Sequence, residues 1–215
     1  MNIYIGWDSK YSIASSVCKK SILMNTNHQY ECHYLKRDEI KGFTRREPNE
    51  STEFTFTRFL VPLLNNWEGY AVFCDNDFLF LDNISRMLMK INPHKAVSVV
   101  KHKYKPKDKT KMNDKPQINY PRKNWSSLMV WNCSHPSNKV LTLDYINKSS
   151  ASDLHEFRWL KNNEIGEIDY TWNYLTDWYT EGEPKALHFT TGGPWLKGYE
   201  NAKYANDWHR LRNSI

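Results

Sequence analysis

The chain has 215 residues, enough for one full hydrophobic core or at most two small ones. Its 40% hydrophobic and 25% charged residues, with 9 Trp, 13 Tyr and 9 Phe, exclude a disordered, solvating polymer. The net charge of +6 is confined: Arg122 and eight lysines fall within residues 101–123 against Asp108 and Asp114, which leaves the remainder close to neutral and argues against a nucleic-acid-binding face.

Apolar stretches such as Tyr70 to Cys74 and Phe78 to Leu81 fall far short of the roughly 20 residues that a membrane-spanning helix needs. Residues 1–6 lack the charged and apolar regions of a secretion signal, so the expectation is a soluble, cytoplasmic protein. Cysteines 18, 32, 74 and 133 form no C-x-x-C pair, which excludes a zinc ribbon or thioredoxin-type site and leaves buried thiols as the reading.

In chain order, residues 1–6 read as a strand ending at Gly6. Residues 12–25 read as a helix with Ile13, Ala14, Val17 and Cys18 on one face and Ser9 or Ser12 as N-cap. Tyr30, Cys32 and Tyr34 alternate as a half-buried strand does. Phe56, Phe59, Leu60 and Leu63 have helical spacing, disturbed near Pro62. Strands are expected at 71–74, 78–81, 96–100, 126–132 and 186–189, and helices at 84–91, 139–146 and 154–160. Three prolines (106, 116 and 121) keep the lysine-rich segment from being a helix; it reads as a solvated loop or as a flap that attracts an anionic ligand or surface. Alternating strands and helices without a linker predict one α/β domain with a central mixed sheet flanked by helices.

Ligands of open α/β sheets bind at the carboxyl ends of strands, and two motifs sit there. Asp75-Asn76-Asp77 lies wedged between apolar runs with no Lys or Arg within eight residues on either side. Carboxylates so placed need a counter-charge, and a divalent cation supplies one; a turn with capping aspartates is the plainer alternative. His188 precedes a glycine turn, Gly192-Gly193-Pro194, with Lys197 beyond it. Turn amides and an ammonium suit a diphosphate, and an imidazole beside carboxylates favours Mn²⁺ over Mg²⁺, although a lone histidine at a strand end also occurs as a hydrogen-bonded core residue.

Together these motifs resemble the GT-A-fold glycosyltransferases related to glycosyltransferase family 8. The resemblance runs almost end to end, through Ile3 to Asp8, Ser51 to Phe59, Asp75-Asn76-Asp77, Tyr120 to Met129, Trp172-Asn173 and His188 to Trp195. It implies a Rossmann-like GT-A domain over 1–215, near the minimal size of that fold and compatible with being one part of a longer polypeptide. It implies a UDP-sugar donor, a glycan or glycoconjugate acceptor, hexosyl transfer with retention, and Mn²⁺, with Mg²⁺ as a substitute. On this reading Gly6, Trp7, Asp8 and Tyr11 hold uracil and ribose. Arg58, Asn76, Ser126 and Ser127 face the donor, and Gly192, Gly193 and Lys197 face the diphosphate. Asp75, Asp77 and His188 take the metal, and Asp153, with Arg58, stands nearest to the catalytic segment. Gly193 occupies the place where the family carries a lysine before Pro-Trp. The lysine segment offers a peripheral contact to an anionic membrane surface. Two other readings compete: a metal-dependent phosphohydrolase or nuclease built on the same three ligands, and a non-catalytic carbohydrate-binding module using the aromatic residues.

Overall fold

The computed structural model describes residues 1–48, 50–103 and 121–215, together with two short backbone strands at Thr110–Lys111 and Lys115–Pro116. Its centre is a six-stranded sheet. Strand β1 (Asn2–Gly6) pairs in parallel with β2 (Glu31–Leu35) on one side and β3 (Tyr70–Cys74) on the other. A second, three-stranded sheet begins with β4 (Phe78–Phe80), only a few residues beyond β3.

The large sheet continues through β5 (Val97–Val99), reached after the chain has passed helix α3 (Ser85–Leu88). Numbering the 110–111 and 115–116 strands β6 and β7, the next is β8 (Leu128–Asn132), which pairs antiparallel with both β3 and β5. Strand β9 (Ile165–Glu167) closes the far edge parallel to β5, giving the order β2-β1-β3-β8-β5-β9. In the small sheet β11 (Ala186–His188) lies between β10 (Tyr174–Leu175), parallel to it, and β4, antiparallel.

The central strands read as unbroken apolar runs because both faces of the sheet are covered. Ala71, Phe73, Met129 and Trp131 point into one core with Phe54, Phe59 and Phe157. Val72, Cys74, Leu128 and Val130 point to the other, where helix α1 (Ser12–Met24) supplies Cys18 and Ile22. The buried set Ala14, Val17, Cys18, Ser21 and Ile22 has the spacing of one helical stripe. Helix α6 (Ala205–Arg212) covers the small sheet through Trp208. Cys18, Cys74 and Cys133 are buried and Cys32 half-buried, all as free thiols. Among the described residues no helix is long and apolar enough to cross a membrane.

Several elements are shorter than their apolar spacing suggests. The Phe56 pattern is a 3₁₀ turn, Thr57–Leu60, that runs into a single α-turn, α2 (Val61–Leu64), with Pro62 in its first turn, where a missing N–H costs nothing. The strand expected from Ser126 starts at Leu128, because Asn124 is left-handed (φ 64°) and the Ser127 hydroxyl bonds back to the Asn124 carbonyl. The 139–146 helix is split: a 3₁₀ turn ends at Val140, and Thr142 caps α4 (Leu143–Lys148). The 154–160 helix is displaced to α5 (Ala151–His155), capped by Ser150, since Phe157 turns left-handed (φ 53°) to drop its ring into the core. The flap expected at 101–123 rests largely on Lys105, Lys107 and Lys109, which lie outside the described residues; Lys103 is exposed, and Lys101 donates to the Ile165 carbonyl over 3.0 Å.

Candidate active site

Asp75, Asn76 and Asp77 form the link between the two sheets, and each sheet fixes one end of it. The Asp75 N–H donates to the Ser127 carbonyl over 2.9 Å, extending the β3–β8 ladder by one step. The Phe189 N–H donates to the Asp77 carbonyl over 3.1 Å, extending the β4–β11 ladder just past the pair Phe78 and His188. Two ladders thus bring a D-x-D carboxylate pair and a histidine more than a hundred residues apart to one point.

Ligand atoms of Asp75, Asp77 and His188 lie within 4.8 Å of one another. His188 is 2% exposed, its ring stacked on Phe78 at 4.5 Å between centroids. Its Nε2 lies 3.3 Å from Asp77 Oδ1, a buried oxygen for which this ring nitrogen is the facing group. A buried carboxylate oxygen faced by a ring nitrogen is a position that a cation would satisfy. Two carboxylates and an imidazole form a donor set suited to a Mn²⁺-class ion, so the residues fit the metal the sequence implies. Burial pushes the His188 imidazole down, but the carboxylate of Asp77, helped by Asp75 and Asp177, outweighs it and raises the net value.

Asp75 also meets Arg58 Nη1 over 2.7 Å. The same guanidinium donates to the carbonyls of Ser126 (3.0 Å) and Phe54 (3.3 Å) and packs its plane near the Phe54 and Phe73 rings. In front of these groups opens a cavity of about 150 Å³. Arg58, Asp75, Asp77 and His188 line one part; Ser126, Ser127, Asn124 and His155 another; Ser51, Thr52, Thr55 and Thr190 contribute hydroxyls. His155 Nδ1 lies 2.9 Å from Ser126 Oγ.

No protein-family model matches the chain. Over 96% of its length it is 38% identical to Protein CDI of Arabidopsis thaliana, and the match spans 83% of that protein. The chain belongs to the family of Protein CDI. Its fold is the GT-A glycosyltransferase fold. The bifunctional glycosyltransferase WbbM superimposes with a TM-score of 0.68 at 14% identity, over 99% of this chain and 49% of WbbM, so the chain spans about half of that protein. The galactosyltransferase LgtC, solved with donor and acceptor sugar analogues, superimposes with a TM-score of 0.64 at 14% identity, over 100% of this chain and 96% of LgtC.

Within this member of the family, the other residues singled out in the sequence occupy three places. Gly6 ends β1, and Trp7, Asp8 and Tyr11 follow at its carboxyl end. Asp8 accepts from the N–H groups of Lys10 (3.0 Å) and Glu53 (3.4 Å); burial raises its carboxyl, and these amides offset part of the rise. Trp7 lies against Tyr34 (4.8 Å between centroids) with Lys36 Nζ over its ring at 5.2 Å. Asn76 is buried between the two aspartates. Gly192 takes φ 148°, and a Cβ at Gly193 would meet the Trp195 ring at 2.1 Å, so this turn requires glycine; Lys197 is exposed just beyond it.

Asp153 does not line the cavity. It lies in the first turn of α5, where hydrogen bonding with Ser150 and pairing with Arg158 at 3.3 Å hold its carboxyl below the usual carboxylate range. Two residues farther on, His155 lines the cavity instead. The sequence reading missed His155, as well as the hydroxyls of Ser51, Thr52, Thr55 and Thr190. A histidine closing a short helix carries no spacing signal, and threonines in a turn read as caps.

Proposed function

We propose that the chain is a metal-dependent glycosyltransferase that moves a hexose from a UDP-sugar to a hydroxyl of a glycan or glycoconjugate, with retention at the anomeric carbon and with residues 1–215 acting as one catalytic domain. The observation that carries this reading is the Asp75–Asp77–His188 cluster at the junction of the two sheets of a GT-A fold, opening on a polar cavity. Asp75, Asp77 and His188 would hold Mn²⁺, with Mg²⁺ as a substitute. When bound, such an ion stabilises negative charge on a diphosphate leaving group.

The chain's own residues supply the rest. Gly6, Trp7, Asp8 and Tyr11 receive the uracil and ribose at the end of β1. Arg58, fixed by two carbonyls and by Asp75, presents a rigidly held guanidinium to the cavity. Ser126, Ser127 and Asn76 orient the sugar, and the amides of the Gly192–Gly193 turn, with Lys197, face the diphosphate. His155 is the group on α5 that reaches the cavity.

Calorimetry with UDP, GDP and ADP tests the assignment directly. Binding should rank UDP first, require Mn²⁺, vanish in chelator and fall sharply in Asp77→Asn. A UDP-hexose panel with this protein should then release UDP. Metal-independent UDP binding, or phosphate release from simple phosphodiesters, would overturn it.

A further inference from the structure

The ring of His188 is held by a hydrogen-bond relay whose direction is fixed at its far end. The Asn124 carbonyl can only accept, so Ser127 Oγ, 2.7 Å away, donates its proton there. With that proton committed, Ser127 Oγ accepts from Asn173 Nδ2 over 2.9 Å. The amide is thereby oriented with Oδ1 toward His188 Nδ1, 2.8 Å away. An amide oxygen only accepts, so Nδ1 carries the proton and Nε2 carries the lone pair of the neutral ring. Nε2 is the atom that faces Asp77.

We infer that Asn173 and Ser127 are positioning residues that set the tautomer of His188, presenting Nε2 as a ready metal ligand. The relay is largely shielded from competing water: Ser127 is 3%, Asn173 0% and His188 2% exposed, and Ser127 and His188 meet the cavity only at its wall. Its geometry comes from the small sheet, where Leu175 is in register with His188 in the parallel β10–β11 pair and so places Asn173 beside the ring. The opposite tautomer would need the Asn173 amide to flip and the Ser127 hydroxyl to abandon the Asn124 carbonyl. It would also put an N–H where the lone pair must be. Histidine ligands whose second nitrogen is fixed in this way lose about 10–100-fold in metal affinity when the fixing group is removed. The inference rests on the metal-dependent reading above.

The test uses Mn²⁺ alone, followed by electron paramagnetic resonance of the free ion, with ¹⁵N-histidine NMR of the metal-free protein at a pH where the ring is neutral. The wild-type spectrum should show His188 protonated at Nδ1 and bare at Nε2. Asn173→Ala and Ser127→Ala should each weaken Mn²⁺ binding by about 10–100-fold and mix the two tautomers. Asn173→Asp, which can only accept from Nδ1, should restore the Nδ1–H form and most of the affinity. Ser127→Ala removes a single oxygen, so it keeps the test open should Asn173→Ala not fold. An Nε2–H ring in the wild type, or wild-type Mn²⁺ affinity in both alanine variants, would overturn the relay. Unchanged affinity in Asp77→Asn would instead overturn the metal site itself.

Discussion

Arg58 and Asp75 are ion-paired across 2.7 Å, with the arginine side chain 7% and the aspartate 16% exposed. Arg58 therefore supplies the counter-charge that the local sequence around the aspartates lacks, arriving from a turn rather than from either strand. Deleting one partner of a pair this buried leaves the other charge exposed to a low-dielectric wall, which costs about 3 kcal/mol. Arg58→Met should lower the stability of the metal-free protein by that order, and saturating Mn²⁺ should recover part of the loss because the ion replaces the missing charge. Thermal melts with and without Mn²⁺ measure both effects. Equal melting in wild type and variant would show that the pair contributes nothing.

A steric prediction concerns Gly6. Its backbone is ordinary strand, yet an added Cβ would lie 2.6 Å from the Phe54 ring. That ring is 1% exposed and is backed by Arg58 and Phe73, so it has little room to retreat. Gly6→Ala should cost about 1–3 kcal/mol through overpacking. Phe54→Leu should be partly rescued, and not worsened, when combined with Gly6→Ala, because the smaller side chain leaves space for the methyl. Urea midpoints of the four proteins form the cycle; simple additivity would contradict the clash.

These residues also show which parts of the architecture were legible beforehand. Strands β3, β4 and β5 stand where continuous apolar runs predicted them, since burial on both faces leaves a clear trace. The stripe of α1 was equally legible, whereas the shorter helical stripes misled. Leu154, Phe157 and Leu160 follow at helical steps of three, but α5 ends at His155 and all three enter the core around a left-handed Phe157. The Asp75, Asp77 and His188 cluster was legible because carboxylates between apolar runs need an explanation. His155 and Asn173 were not seen as site residues, because their roles depend on which neighbour each side chain meets: Ser126 for the one, Ser127 and His188 for the other.

His102, 6% exposed just beyond β5, gives a pH prediction. Burial, helped by the charge of nearby His188, pushes its imidazole down to about 3, while its Nδ1 stays 2.9 Å from the Tyr179 hydroxyl. The unfolded chain binds a proton here below about pH 6.5 and the folded chain does not until about pH 3. Stability contributed by the neutral ring is therefore complete above pH 6.5 and falls as pH drops, by about 1.4 kcal/mol per unit for one proton. His188 acts in the opposite sense, so the two are separated by comparison with His102→Gln. Urea unfolding of metal-free protein between pH 7 and pH 4.5 should show the wild type losing stability faster than the variant. Parallel curves would mean that His102 accepts its proton in the folded state.

His155 gives the last prediction. Its ring meets Phe59 edge-on at 5.2 Å between centroids, and its Nδ1 lies 2.9 Å from Ser126 Oγ on the cavity wall. The contact with Phe59 fixes the ring, and the bond to Ser126 fixes a hydroxyl that the proposed reaction turns toward the donor sugar. His155→Ala should lower kcat/KM for the UDP-sugar by about tenfold, the worth of one hydrogen bond to a positioned group. Mn²⁺ affinity should stay the same, since the metal cluster does not depend on α5. His155→Asn, whose amide can reach the place of Nδ1, should recover much of the rate, whereas His155→Phe, which keeps the packing alone, should not. Steady-state kinetics with a Mn²⁺ titration of each variant separates the two roles. A rate in His155→Phe equal to wild type would reduce His155 to a packing residue.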